Sequence, residues 1–349
     1  MKRYFLLMPV FMLAFFMLVL SACSQPAPEA IRLQGKTMGT TWSAVIPVPV
    51  EGGAAFPDSA VLQAGLEGVL TAVNDQMSTW QPDSELSQFN RYQQTGWFPV
   101  SAQLARVTQA AIEVSQFSLG AYDVTVGPLV NLWGFGAGKA TGSPAVPEQA
   151  AIDAALLNVG FDKLAVRLNP PALRKETAGL YVDLSSIAKG YGVDQLAEYL
   201  NQLGATDYMV EIGGEIHTRG RSPRGDDWRI AVEKPVDLGQ SVQQGLRLSS
   251  GGLATSGDYR NYFRAGGQRY SHTLDPVSGY PVKHSLASVS VMAESTMLAD
   301  AYATMLMAMG EVKGRAFAVQ QGLDAYFIWR TDNGFETLAT GEFKRALIK

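Results

Sequence analysis

Several polar clusters stand in an otherwise apolar chain, and their residue types suggest chemistry. Asp300 and Thr304 lie four residues apart around Leu298-Ala299-Asp300-Ala301-Tyr302. That spacing puts both oxygens on one face of a helix. A carboxylate in such a run is costly unless it is hydrogen-bonded, paired or metal-bound. With a backbone carbonyl, the pair makes a hard-oxygen set that suits Mg²⁺, which keeps waters and shares phosphate oxygens. The pair reads equally as Thr304 bonded to backbone, with Asp300 a buried acceptor. The run Asp183-Leu184-Ser185-Ser186-Ile187-Ala188-Lys189-Gly190-Tyr191 reads as strand end, serine cap and helix start. A helix N-terminus offers free N–H groups to a phosphate, and Lys189 adds a full charge one turn in. A plain capping motif with a solvated Lys189 is the other reading.

His272 lies three residues before Asp275 in Ser271-His272-Thr273-Leu274-Asp275-Pro276. A carboxylate there can orient an imidazole as a general base, and a satisfied structural histidine is the alternative. Asp123 sits in Ala121-Tyr122-Asp123-Val124, where a carboxylate must be hydrogen-bonded, capping or functional. Trp80 follows Ser78 and Thr79, which suits either ring stacking with nearby donors or a bland helix end. Glu211 and Glu215 flank a Gly213-Gly214 bend and read as structural.

Four helices must position these groups. The first starts at a Ser59 cap with Leu62, Leu66, Val69, Leu70, Val73 and Met77 inward. Ser101 caps the second. The third follows Ser185 or Ser186 and stops near Gly204. The fourth runs from Ser295 to Met309, is stopped by Gly310, and is apolar nearly all round, hence buried. Strands are expected at Tyr208–Ile212, Trp228–Glu233, Gly245–Ser250, Leu286–Met292 and Ala325–Trp329. Gly35 to Val50 reads as strand interrupted by a glycine. Helices and strands do not alternate regularly, so the fold class is α+β: mixed or antiparallel sheets with packed helices, in two closely associated lobes with the active site in the cleft between them.

The chain has 349 residues and a formal charge of −4, and no basic surplus points to nucleic acid. Its one cysteine, Cys23, excludes an internal disulfide framework and a zinc-thiolate cluster. Lys2 and Arg3 precede an uncharged run from Phe5 to Leu20, and Leu20-Ser21-Ala22-Cys23 follows. This reads as an export signal over 1–22 whose end resembles the bacterial lipobox, with Cys23 lipidated. Residues 23–34 are then the lipidated Cys and a tether, and 35–349 the catalytic domain. Losing Lys2 and Arg3 makes the mature chain two charges more negative.

The motifs from Met38-Gly39-Thr40 to Ala299-Asp300, in this order, resemble those of the ApbE-type FAD:protein FMN transferases. The resemblance implies an enzyme that uses FAD and Mg²⁺ to place FMN on a threonine of an acceptor protein, releasing AMP. It implies FAD contacts at Met38, Trp80, Ala121, Tyr122, Asp123, Asp183, Lys189 and Leu274. It implies metal ligation by the Ser186 carbonyl, Asp300 and Thr304; the family often has Ala at the first of these, which a carbonyl ligand tolerates. His272, oriented by Asp275, is the base, with Asp123 the alternative. Family acceptors include subunits of membrane redox complexes. They argue for the periplasmic face of the inner membrane, although Ser24 after the cysteine points outward. A monomer is expected. The rival reading is a flavin-binding periplasmic lipoprotein without transferase activity.

Overall fold

The computed structural model describes residues 29–48, 57–137, 145–236, 239, 241–259 and 261–348. The export signal, Cys23 and residues 24–28 of the tether lie outside the described residues. Strand β1 (Ala30–Thr37) already occupies the end of the segment assigned to the tether.

β1 is not continuous with the next strand. Met38 and Gly39 take φ of 49° and 73°, and β2 (Thr40–Pro47) returns antiparallel, with Thr37 opposite Thr40. Two residues at positive φ make the tight hairpin turn whose twist matches its strands. A glycine that reads as an interruption is therefore half of a reversal.

β1 and β2 open an eight-stranded antiparallel sheet. It continues through β6 (Tyr208–Ile212), β7 (Glu215–Arg219), β10 (Gly251–Gly257), β13 (Leu286–Ala293), β14 (Asp324–Thr331) and β15 (Gly334–Ala339), in that spatial order. Smaller antiparallel sheets join β3 (Phe98–Pro99), β5 (Pro171–Lys175) and β4 (Leu164–Leu168), then β8 (Trp228–Glu233) with β9 (Val242–Leu248), and β11 (Tyr262–Ala265) with β12 (Gln268–Ser271). The helices are α1 (Ser59–Met77), α2 (Glu85–Arg91), α3 (Ala102–Phe117), α4 (Gly127–Leu132), α5 (Gln149–Leu156), α6 (Ala188–Gln202), α7 (Thr296–Gln321) and α8 (Phe343–Ala346). The class is α+β, as expected. Among the described residues no helix is long and apolar enough to cross a membrane.

α1 is capped by Asp58, whose carboxylate accepts from Val61 N–H, one residue ahead of the expected Ser59. Ser101 caps α3 as expected. α6 starts at Ala188 without a side-chain cap. Asp183 instead closes the preceding turn by accepting from Ser185 N–H at 2.9 Å. Neither serine caps, so Ser186 Oγ lies 2.9 Å from the Tyr122 hydroxyl.

α7 begins after a Ser295 cap and loses helical geometry at Gly310, at φ 75° and ψ 178°. The expected stop is a break, because a second helical stretch runs on to Gln321. His284 Nε2 lies 2.8 Å from the Met307 carbonyl, in the turn just before the break.

α6 and α7 cross very closely. A Cβ on Gly190 would sit 2.3 Å from the Thr296 carbonyl oxygen, which is backbone and cannot swing aside. Gly190→Ala must therefore part the helices. It should destabilise the fold by roughly 1–3 kcal/mol, as overpacking does, read as a lowered thermal midpoint. An unchanged midpoint would contradict this packing.

Candidate active site

A cleft of about 970 Å³ opens where several hydrophobic clusters meet. Tyr122 comes to it from the main core, Ile230, Val232 and Leu253 from the cluster beneath β8 and β9, and Leu274 from the cluster beside α4 and α5. Its size is at the upper end for small-molecule sites.

The charged centre is Lys189. Its Nζ lies 2.7 Å from Glu215 Oε1 and 3.8 Å from Asp300 Oδ1. Asp300 Oδ2 accepts from Gly190 N–H at 3.0 Å. The close crossing of α6 and α7 thus brings an ammonium, a carboxylate and a helix N-terminus together. Burial pushes the carboxyls of Glu215 and Asp300 up, against the pull of Lys189. Burial also opposes charge on Lys189, but Asp300 and Glu215 together hold its ammonium above the usual range. Glu215 Oε2 is buried with no hydrogen-bond partner among the described residues. When both acids are ionised, two carboxylates face one ammonium and a negative charge is left over.

The expected metal donors Ser186, Asp300 and Thr304 all line this cleft. Among the described residues, no cluster of three or more His, Cys, Asp or Glu is arranged to hold a metal. The donors present are oxygens, one of them a carboxylate, beside a second buried carboxyl that shares the same ammonium. That fits a hard divalent cation which keeps waters and shares ligand oxygens, and does not fit a caged zinc-type site.

His272 faces the cleft too. Its Nδ1 lies 3.1 Å from the Asn261 carbonyl oxygen, which also accepts from the His272 main-chain N–H. A carbonyl only accepts, so Nδ1 carries the proton and the neutral ring keeps its lone pair on Nε2. Burial, helped by nearby Lys189, lowers the imidazole pKa and keeps the ring neutral at pH 7. Asp258, three residues before Asn261, is firmly held. Arg330 forks onto Asp258 at 2.8 and 2.9 Å, and Asp258 N–H donates to the Ala287 carbonyl.

This corrects the expected partner. Asp275 does not orient His272: its carboxylate accepts from Val277 N–H and Ser278 Oγ in its own turn, and among the described residues no bond joins it to the imidazole. Nor does Asp275 line the cleft. A spacing of three marks a turn here.

Asp123 reaches the cleft but is fully engaged. Oδ1 accepts from Thr125 N–H and Thr125 Oγ1, both at 2.7 Å, and Oδ2 from Phe161 N–H at 2.8 Å. Burial raises its pKa while these donors oppose the shift. Three donors on one carboxylate make it a loop anchor rather than the alternative base. Trp80, Ala121, Tyr122, Asp183, Lys189 and Leu274 also line the cleft. Met38 does not. Its side chain packs against two core clusters, and the adjacent Gly39, Thr40 and Thr41 face the cleft instead.

Sequence reasoning gave Glu215 only a structural role and overlooked Asn261. An acid just after a Gly-Gly bend is the one local signal for Glu215. Asn261 acts through its carbonyl, which no residue type announces.

A cleft that gathers buried acids, an ammonium and a neutral imidazole defines an enzyme rather than a scaffold protein. Comparison with known proteins takes this further. The ApbE family profile matches residues 38–327. Relatives from Haemophilus influenzae and Vibrio cholerae, both named FAD:protein FMN transferase, are each 45% identical; the first match covers 94% of each chain, the second 95% of this chain and 97% of the relative. The solved flavin transferase ApbE from Vibrio cholerae superposes with a TM-score of 0.83 at 43% identity, over 91% of this chain and 99% of that one. The apo flavinyl transferase ApbE from Pseudomonas stutzeri gives 0.82 at 38% identity, over 91% and 96%. The chain belongs to the ApbE family.

Proposed function

We propose that the protein is a Mg²⁺-dependent FAD:protein FMN transferase that moves FMN from FAD to a threonine hydroxyl of an acceptor protein and releases AMP. The observation that carries this reading is the buried group of Lys189, Glu215 and Asp300, in which two carboxyls share one ammonium, with Thr304 one helical turn beyond. Such a centre suits a cation-bound pyrophosphate.

The threonine Oγ bonds to the FMN phosphorus. The bond from that phosphorus to the bridging oxygen breaks, and AMP leaves with the oxygen. His272 Nε2 takes the threonine proton, with the ring held by Asn261. Lys189 places a positive charge beside the phosphate oxygens, and the N–H groups at the start of α6 add their dipole. Tyr122 and Ser186 offer hydroxyls, and Trp80 and Leu274 offer apolar surface to a ring system. Bound Mg²⁺, held by Asp300, Thr304 and the Ser186 carbonyl, supplies neutralisation of pyrophosphate charge.

The test is to incubate the mature protein with FAD, Mg²⁺ and the threonine-bearing soluble domain of a membrane redox-complex subunit. Flavin fluorescence should stay with the acceptor on a denaturing gel, and EDTA should abolish it. No covalent label on any such acceptor would refute the activity.

The same reading places the protein on the periplasmic face of the inner membrane, anchored by lipid on Cys23. It acts as a monomer. Cys23→Ser should release an active soluble protein on fractionation. A membrane-retained variant would mean an uncleaved anchor.

A further inference from the structure

The strand β8 borders the cleft in an unusual way. Its side chains alternate, with Trp228, Ile230 and Val232 buried and Arg229 and Ala231 exposed. Yet Ile230, Ala231, Val232 and Glu233 all line the cleft. Successive side chains point to opposite faces of a strand. The register shifts at a β-bulge between Val232 and Glu233, but Ile230, Ala231 and Val232 precede it, and three consecutive residues of a regular strand border one cavity along the strand's edge, where main-chain N–H and C=O groups point.

That edge has no ladder. β8 pairs with β9 alone, and among the described residues no other main-chain hydrogen bond reaches Arg229, Ile230, Ala231 or Val232. Exposed strand edges recruit other chains, and proteins usually cover or break them. Here the edge is kept and turned into the active-site cleft. The charged groups of the centre lie on other elements: Lys189 on α6, Asp300 and Thr304 on α7, and His272 just after β12. The end of β8 is tied to the His272 support, because the Tyr259 hydroxyl donates to Glu233 Oε2 at 3.4 Å and Tyr259 lies two residues before Asn261.

We infer that the cleft-facing edge of β8 docks the acceptor polypeptide, an extended segment that pairs its main chain with Arg229–Val232 and so delivers its threonine to the cleft. This rests on the transferase reading above. The reaction needs a protein hydroxyl inside the cleft, which a globular surface cannot reach and an extended segment can. Strand addition supplies affinity through main-chain bonds and leaves side chains to set preference.

Hydrogen exchange tests this. The probe is the acceptor domain labelled in the experiment above, with its threonine replaced by valine so that nothing reacts. Exchange at Trp228–Glu233 should slow about tenfold with this probe, as one or two new hydrogen bonds would produce, and should not change with FAD alone. Slowing by FAD alone, or probe binding without slowing on β8, would overturn the assignment.

A kinetic arm uses Ala231→Pro and Val232→Pro. Adjacent residues of a strand aim their N–H groups at opposite edges. One variant thus breaks a β9 bond and melts early, and the other loses only a cleft-edge donor. The second should raise the acceptor KM about tenfold with the FAD KM unchanged. An unchanged acceptor KM in it would also overturn the assignment. If no acceptor is ever labelled, the transferase reading fails, and this inference falls with it.

Discussion

His272→Ala should lower flavin transfer by roughly a hundred- to ten-thousandfold, the usual range for a lost general base, and leave FAD affinity nearly unchanged. The argument is geometric first. Nδ1 is committed to the Asn261 carbonyl, so Nε2 is the basic atom, and the ring borders the cleft. The pH dependence follows from the same environment. Burial chiefly, with Lys189, holds the imidazole pKa below its ordinary value of 6.5. The active form is neutral, so the His272 limb of the profile should rise with pH through a pKa under 6.5. In His272→Ala that acidic limb should vanish along with the rate. Normal transfer by the variant, or a limb centred above pH 7, would move the base elsewhere.

Asp300→Asn should abolish Mg²⁺-dependent transfer, with a loss of roughly a thousandfold or more, as expected when a metal's charge stabilisation of the transition state is forfeited. Asparagine keeps the shape and can still accept from Gly190 N–H, so the crossing of α6 and α7 survives. Lys189 keeps Glu215 at 2.7 Å. The variant should therefore fold, which circular dichroism and thermal melting would show. It removes the excess negative charge, and Mg²⁺ binding by titration calorimetry in the presence of FAD should disappear. Wild-type turnover with an unchanged Mg²⁺ requirement would take Asp300 out of the metal site.

The sequence made local structure readable where a single face decides it. β6 and β8 have the expected bounds, because alternation of buried and exposed residues is strict there. Asp300 and Thr304 fall in the cleft because a four-residue spacing inside a helix has one geometric meaning. Long-range pairing was less readable. Lys189 and Glu215 are 26 residues apart and meet only because β7 runs beside α6. His272 and Asp275 look like partners at a spacing of three, yet a turn uses the carboxylate up locally. The true partner of His272 is a backbone carbonyl 11 residues away, invisible to any reading of side-chain types. The Met38-Gly39 reversal and the resumption of helix after Gly310 share a cause. Each contains a glycine at positive φ, joined in the first by Met38, and composition does not say whether such a residue ends an element or turns it.

The most direct test of the central claim is the reaction balance. Purified mature protein is mixed with FAD, Mg²⁺ and acceptor domain. AMP is then quantified by chromatography, and the flavin on the acceptor is located by peptide mass spectrometry. One AMP should appear for each FMN found on a threonine, and neither should form without the acceptor. Bound flavin with no AMP and no modified threonine would contradict the account and leave a flavin-binding lipoprotein in its place.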